Sequence, residues 1–394
     1  MQKQKNKTEW KEVELGEILD FIRNGLNINQ FDKGNYPITR IETIWNSKID
    51  ICRVKYCNPS EEQIKNYSLK QGDILFSHIN SPTHIGKTGI YGGIPEILIH
   101  GINLLLLRPK KSIVYPNYLN YFLKTKSVRK YFEIRCKKAV NQASLNQKAV
   151  TSIKIPLPFL KGKPDLETQK QIVAILEKAE ALKQKQKRAL ELHDEYLKSV
   201  FYEMFLKEKG KWEEKSLSEV CEIIMGQSPA GSSYNKSQNG MPFFQGKAEF
   251  GERYPKVKYW TTEPSKIAEP NSILMSVRAP VGSVNVCNVK CCMGRGLASI
   301  KPKEVINLEY LFSLLKILEN KIADLGSGST FKAINSGQLR GLKIPLPPFE
   351  LQQKFADIVE KVERLKEKQK KSLEDSEELF NVLMQKAFRG ELAE

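Results

Sequence analysis

One stretch of this chain is spelled twice. Thr168-Gln-Lys-Gln-Ile-Val-Ala-Ile-Leu-Glu-Lys-Ala-Glu-Ala-Leu-Lys-Gln-Lys-Gln-Lys187 returns as Leu351-Gln-Gln-Lys-Phe-Ala-Asp-Ile-Val-Glu-Lys-Val-Glu-Arg-Leu-Lys-Glu-Lys-Gln-Lys370, at a constant offset of 183 residues. In the first copy Ile172, Leu176, Ala179, Lys183, Gln186, Leu190, His193, Leu197, Val200 and Met204 follow one another in steps of four and three. That alternation marks a heptad seam rather than a plain amphipathic helix. Phe355, Val359, Val362, Lys366, Gln369, Leu373, Ser376, Phe380, Leu383 and Ala387 repeat it. The polar interruptions recur too, Lys183 with Lys366 and Gln186 with Gln369. A seam present twice in one chain predicts pairing within the molecule. At ~1.5 Å per residue each seam is roughly 50 Å long. The direction of pairing stays open; an antiparallel pair would bring the matched polar residues near one another at mid-helix.

The duplication extends beyond the helices. Trp10 to Ile22 and Trp212 to Ile224 are predicted short amphipathic helices. Gly72-Asp-Ile-Leu-Phe-Ser77 reads as a buried strand and returns as Asn271-Ser-Ile-Leu-Met-Ser276. Helical spacing runs from Tyr115 to Phe132 and is echoed by Tyr310 to Leu318. Lys154-Ile-Pro-Leu-Pro-Phe159 and Lys343-Ile-Pro-Leu-Pro-Pro-Phe349 forbid helix and predict extended exits, the first longer and looser before its helix. Thr168 with Gln171 is a capping-box signal for the first long helix; Gly210, mirrored by Gly390, is its predicted stop. The expected organisation is α+β: globular block 1–160, long helix 161–210, globular block 211–348, long helix 349–394. Landmarks repeat and the loops between them differ.

A length of 394 residues exceeds one ordinary core. No run of about 18 apolar residues offers a membrane span, and the Lys-rich start lacks a signal-peptide core, so the expected location is cytoplasmic. Seven cysteines without a Cys-x-x-Cys pair point to free thiols rather than a metal site. The net charge of +18 points to a polyanionic partner such as double-stranded DNA.

Catalytic constellations are not found in the sequence. Leu346-Pro-Pro-Phe349 resembles the core of an amino-methyltransferase motif, but Leu346 cannot hydrogen-bond an exocyclic amine. Gly326-Ser-Gly-Ser-Thr330 lacks the Gly-Lys-Ser/Thr of a phosphate loop. Pro164-Asp165 has no Glu-x-Lys nearby to complete a nuclease site. The four histidines have no carboxylate or nucleophile in view, so a solvated or satisfied role outweighs a catalytic one.

What remains is a set of basic loops, unlike in the two blocks. The first offers Arg40, Lys48, Arg53, Lys55, His78, His84, Lys87, Lys137 and Lys138. The second offers Lys247, Arg253, Lys256, Lys258, Arg278, Arg295 and Lys332. Arg and Lys reach phosphates or guanine edges, while Asn80, Asn141, Gln142, Gln227 and Gln245 carry the amides that read adenine. Taken singly each is more often ordinary surface; the expectation concerns the set. One framework with two unrelated loop sets is what reading two different short sequences requires.

The order of the Trp10 block, Lys154-Ile-Pro-Leu-Pro158, Gln169-Lys-Gln-Ile172, the Trp212 block, Lys343-Ile-Pro-Leu-Pro347 and Gln352-Gln-Lys-Phe355 resembles the DNA-specificity subunit of type I restriction-modification systems. The closing Ala387-Phe-Arg-Gly-Glu-Leu392 is similar to that family's C-terminal signature. The resemblance spans essentially the whole chain. It implies two target-recognition domains, each reading half of a bipartite asymmetric site, joined by an antiparallel coiled coil that serves as a ruler. It also implies no catalytic residue or cofactor here. S-adenosylmethionine would belong to two docked modification (methyltransferase) subunits and ATP to the restriction subunits.

Overall fold

The computed structural model describes residues 8–45, 48–81, 84–139, 142–208, 210–326 and 333–392. The chain divides into two compact units, Met1–Gln186 with Ser372–Glu394, and Lys187–Lys371. Each unit owns part of both long helices, Leu166–Phe201 and Phe349–Ala387.

In the first unit Ile172, Val173 and Leu176, early in the first helix, share a core with Met384 and Ala387, late in the second. In the second unit Phe201, late in the first helix, packs edge-on against Phe355, early in the second, at 5.2 Å. Both units therefore hold an antiparallel pair. Every seam position is buried or half-buried, whereas the off-seam Leu182 and Leu365 are 42% and 53% exposed. Lys183 and Lys366 fall in different units, and each has its own partner within its unit. Lys183 lies 4.5 Å from the ring centroid of Phe380, and Lys366 reaches Asp194 at 2.9 Å.

The globular framework also repeats. In the first unit Leu19–Asn24, Leu105–Pro109, Ile74–Phe76 and Thr88–Ile90 form an antiparallel sheet in that order. In the second, Cys221–Met225, Leu297–Pro302, Ile273–Ser276 and Val284–Val286 do the same. Helices Pro116–Leu123 and Lys126–Arg135 cover the first sheet's apolar face, and Leu308–Ile317 with Glu319–Leu325 cover the second's. Tyr118 donates to the Pro156 carbonyl at 2.7 Å, and Tyr310 to that of Pro345 at the same distance. Each proline-bearing exit is thus tied to the helix layer by a buried phenol.

Local pattern and structure part in four respects. Trp10 to Ile22 is not a helix: Glu9–Glu14 and Leu19–Asn24 are strands around a single 3-10 turn at Leu15–Ile18. Pairing of Glu9–Glu14 with Lys154–Leu160 overrides the helical spacing, since the ladder supplies backbone partners that a short exposed helix would leave to water. The Trp212 block keeps only one helical turn, Leu217–Val220, between the strands Glu214–Ser216 and Cys221–Met225. The first long helix is capped by Asp165, which accepts from the Thr168 N–H at 3.0 Å and from its hydroxyl at 2.7 Å. Thr168 lies inside the first turn. The exit before it is a closed hairpin, Phe159 opposite Pro164, turning through Lys161 and Gly162 at positive φ.

At its end the first helix widens into a π turn at Tyr202–Leu206 before Gly210 at φ +75°. Gly390, at φ +80°, does more: a Cβ there would stand 2.7 Å from the indole nitrogen of Trp10, so only glycine lets the chain end cross that ring. Among the described residues no helix is long and apolar enough to cross a membrane.

Candidate nucleic-acid interface

Beyond the shared framework each unit carries its own additions. The first has two hairpins, Tyr36–Ile38 with Lys55–Cys57 and Ile44–Trp45 with Lys48–Ile49, and a small sheet of Lys137–Ala139, Gln142–Ser144 and Ile79–Asn80. The second has a five-stranded sheet, Tyr234–Asn235, Tyr259–Thr261, Met241–Phe244, Cys291–Met293 and Ile267–Ala268. The candidate residues lie on these additions and on the loops that meet them.

In the first unit the small sheet gathers one group. Lys137 is exposed on its edge strand; Lys138 is next along that strand, its side chain outside the described residues. The backbone of His78 joins the sheet through the Leu145 N–H at 2.8 Å. His78 is itself buried with Nδ1 unpartnered, and burial lowers its pKa. His84 is exposed and shares a 2.8 Å hydrogen bond between Nδ1 and the Ser81 hydroxyl. Burial, then the neighbouring Arg129, lowers the pKa of Lys87. Asn80 spends its amide locally, donating to Ser77 at 3.0 Å and accepting from the Ser81 N–H at 2.8 Å. Asn141 lies outside the described residues, as does the side chain of Gln142.

The hairpins hold a second group. Arg40 is half-buried and pairs with Glu42 at 3.4 Å, while Lys55 pairs with Asp32. Arg53 stacks on Trp45 with its guanidinium carbon 3.7 Å from the ring centroid, leaving half of that indole exposed. An exposed tryptophan with an arginine on its face is a platform suited to a base or sugar; Arg53 is one of the basic loop residues read from the sequence, whereas Trp45 gave no signal there.

In the second unit the loops converge around two glycines. The Gly294 N–H donates to the Phe244 carbonyl at 2.8 Å, and the Val277 N–H to that of Gly296 at 2.9 Å. A Cβ on Gly296 would fall 2.6 Å from the Gln245 carbonyl oxygen, which is why these loops can lie side by side. The Gln227 N–H donates to Met293, and the Arg295 N–H to the Ser228 hydroxyl at 3.2 Å. Exposed Gln227, Gln245, Lys247, Arg278 and Arg295 are thereby brought to one rim. Beside it Gln245–Glu249, Ala279 and Pro280 line a hollow of about 490 Å³. Two amides and three cations on one rim can contact base edges and phosphates together.

Three second-unit candidates are placed otherwise. Lys258 donates to the Ala248 carbonyl at 2.9 Å, and Lys256 is exposed beyond it. Arg253 is half-buried, pairs with Glu309 and lies over Phe312, its guanidinium carbon 5.4 Å from the ring centroid. Lys332 lies outside the described residues.

The architecture is a duplicated α+β scaffold in which one framework, set on an antiparallel helix pair, presents two unlike sets of basic loops. Comparison with known proteins gives the same answer. The sequence profile of the type I restriction modification DNA specificity domain matches twice, over residues 7–192 and 209–375. A protein of Methanocaldococcus jannaschii named as the specificity subunit of type I restriction enzyme MjaX is 44% identical over 98% of this chain and 94% of its own. A solved chain concerned with complex assembly and conformational transition of the type I R-M system is 27% identical, with a TM-score of 0.66 over 98% of this chain and 99% of that one. The type I S subunit of M. genitalium shares the fold at 15% identity, with a TM-score of 0.56 over 98% of both chains. The chain belongs to the type I restriction-modification DNA specificity family, whose role is recognition of the DNA target.

Proposed function

We propose that this chain is the non-catalytic recognition subunit of its system, each globular part reading one half of a bipartite, asymmetric DNA site. The observation that carries this is the contrast between repeated framework and unrepeated additions. Both units build the same four-stranded order, yet one adds hairpins and the other a five-stranded sheet. Two readers of one sequence would have no reason to diverge only at their loops. Phosphate contacts by Lys137, Lys247, Arg278 and Arg295 would set position, while the amides of Gln227 and Gln245 would contribute to choice of base. The helix pair would fix the gap between half-sites and dock two methyltransferase subunits. Those would carry S-adenosylmethionine, the restriction subunits would use ATP, and the assembly would work in the cytoplasm.

Exchange of residues 211–348 for the corresponding part of an unrelated family member tests this. Methylome sequencing of cells carrying the chimera with its partners should show one half-site changed and the other kept. Change in both halves would sink the reading, as would methyl transfer from labelled S-adenosylmethionine by the purified chain alone.

A further inference from the structure

The second unit rests on the helix pair in two ways. Its framework is held by packing: Phe201, Phe205, Phe355 and Val359 share a core with Tyr310, Leu311 and Leu314. Next to that core a cleft of about 490 Å³ separates Leu197, Phe201, Val359 and Lys366 of the helices from Arg253, Phe312 and Lys316 of the globular part. Across it the strap Gly251–Tyr254 is joined to the helices by charge. Lys366, 5% exposed, reaches Asp194 of the opposite helix at 2.9 Å, Glu252 of the strap at 3.1 Å and Glu363 of its own helix at 3.3 Å. Lys370, one turn on, holds the other oxygen of Glu252 at 2.6 Å.

The strap is anchored on its far side as well. Arg253 pairs with Glu309, and the Gly251 N–H donates to Asn285 Oδ1 at 2.9 Å. Asn285 returns a 3.2 Å bond from Nδ2 to the Gly251 carbonyl. A segment bonded to the helices by one residue, and to its own domain by the residues on either side, transmits the position of one to the other. It leads straight into Lys256 and Lys258 and on to the strand Tyr259–Thr261 of the five-stranded sheet. Burial pulls the Lys366 ammonium down, yet its carboxylate partners, Asp194 foremost, outweigh that and hold it above the ordinary lysine range. A lysine this enclosed in a hydrophobic seam is costly unless its partners are fixed, so the ammonium fixes theirs.

We propose that Lys366 and Glu252 are positioning residues that set the attitude of the second recognition domain on the helix pair, and so the half-site gap the protein accepts. This rests on the DNA-recognition reading above. The feature is specific to the second copy. The counterpart Lys183 meets the ring of Phe380 instead, so duplication supplied the lysine and the second block supplied the strap that uses it.

The test uses the full chain in complex with its methyltransferase subunits. Duplexes carry the two half-sites defined by the methylome, with the gap at its native length or one or two base pairs shorter or longer. Lys366→Met and Glu252→Gln should each shrink the preference for the native gap about fivefold or more, while the half-site sequences stay the same. The double variant should do little more than either alone, because both remove one link. Glu252 is on an exposed loop, so E252Q keeps the test decisive if K366M weakens folding. A folded E252Q protein with undiminished gap preference overturns the proposal, and so does loss of half-site recognition together with gap preference. If the unaltered complex shows no sequence preference on any duplex, the DNA-recognition reading itself fails.

Discussion

Gln169 accepts the backbone N–H of Tyr115 at 2.7 Å, and its repeat counterpart Gln352 accepts that of Asn307 at 2.8 Å. Tyr115 and Asn307 each stand immediately before the helix that covers their sheet. Gln169 also donates to the Ile113 carbonyl at 3.1 Å; Gln352 donates to Pro347 at 2.7 Å and Val305 at 3.4 Å. One buried amide thus locks each long helix to its globular block and satisfies loop groups that water cannot reach.

Replacement by leucine keeps the volume and strands those partners. Gln169→Leu should cost about 2–4 kcal/mol, and Gln352→Leu at least as much because its amide donates twice. Urea denaturation checks the size, and faster hydrogen exchange at the Tyr115 or Asn307 amide checks the place. Loss below about 0.5 kcal/mol would mean that water replaces the amide.

Asp73 and Arg108 form a bidentate pair at 2.8 and 2.6 Å, with the Asp73 side chain only 2% exposed. Asp73 also accepts the Lys70 N–H at 2.7 Å. In the repeat these positions are Ser272 and Lys301, so the pair belongs to the first block alone. Asp73→Ala should destabilise the protein by about 3–5 kcal/mol, because it leaves a guanidinium partly buried without its partner. Replacing Asp73 and Arg108 together should cost less than Asp73→Ala does, measured by the same denaturation midpoints.

Much of this was legible, and the line between legible and hidden follows sequence distance. Heptad steps are local, so both long helices and the burial of Ile172, Leu176, Phe355 and Val359 could be read directly. The strands at Ile74 and Ile273 announce themselves as short apolar runs. Trp10 to Ile22 misleads because its conformation is set by partners at Lys154–Leu160, about 145 residues away. Lys366 looked like a polar interruption of the seam. Its meaning lies in Glu252 and Asp194, which share no pattern with it. Arg253 counted among the basic loop residues, since nothing local distinguishes an arginine facing DNA from one facing Glu309.

His100 is fully buried, donates through Nε2 to the Leu104 carbonyl at 3.0 Å, and has Nδ1 unpartnered. Burial, only partly opposed by that bond, pushes its pKa from 6.5 to about 4. The unfolded chain therefore takes up this proton first as pH falls. The stabilisation is full above about pH 6.5 and is lost progressively toward pH 4, a change of order 3 kcal/mol. His78, also lowered by burial, adds in the same direction. Urea midpoints between pH 7.5 and 4.5 should show a shallower dependence for His100→Gln than for the unaltered protein. Equal slopes would mean that His100 protonates without opening its surroundings.

The helix pair itself offers the most direct test of a ruler. One extra heptad after Gln186 and another after Lys371, where the chain passes between units, would preserve the alternation of four and three on both helices. Seven residues add ~10.5 Å, or about three base pairs at roughly 3.4 Å each. Lengthening only one helix would leave its added turns without a facing seam, so both insertions are needed together. The methylome of cells carrying the lengthened chain should show both half-sites unchanged, separated by a gap about three base pairs wider. An unchanged gap would show that the spacing is set by the globular blocks or the docked subunits, and that the repeated seam is a brace rather than a measure.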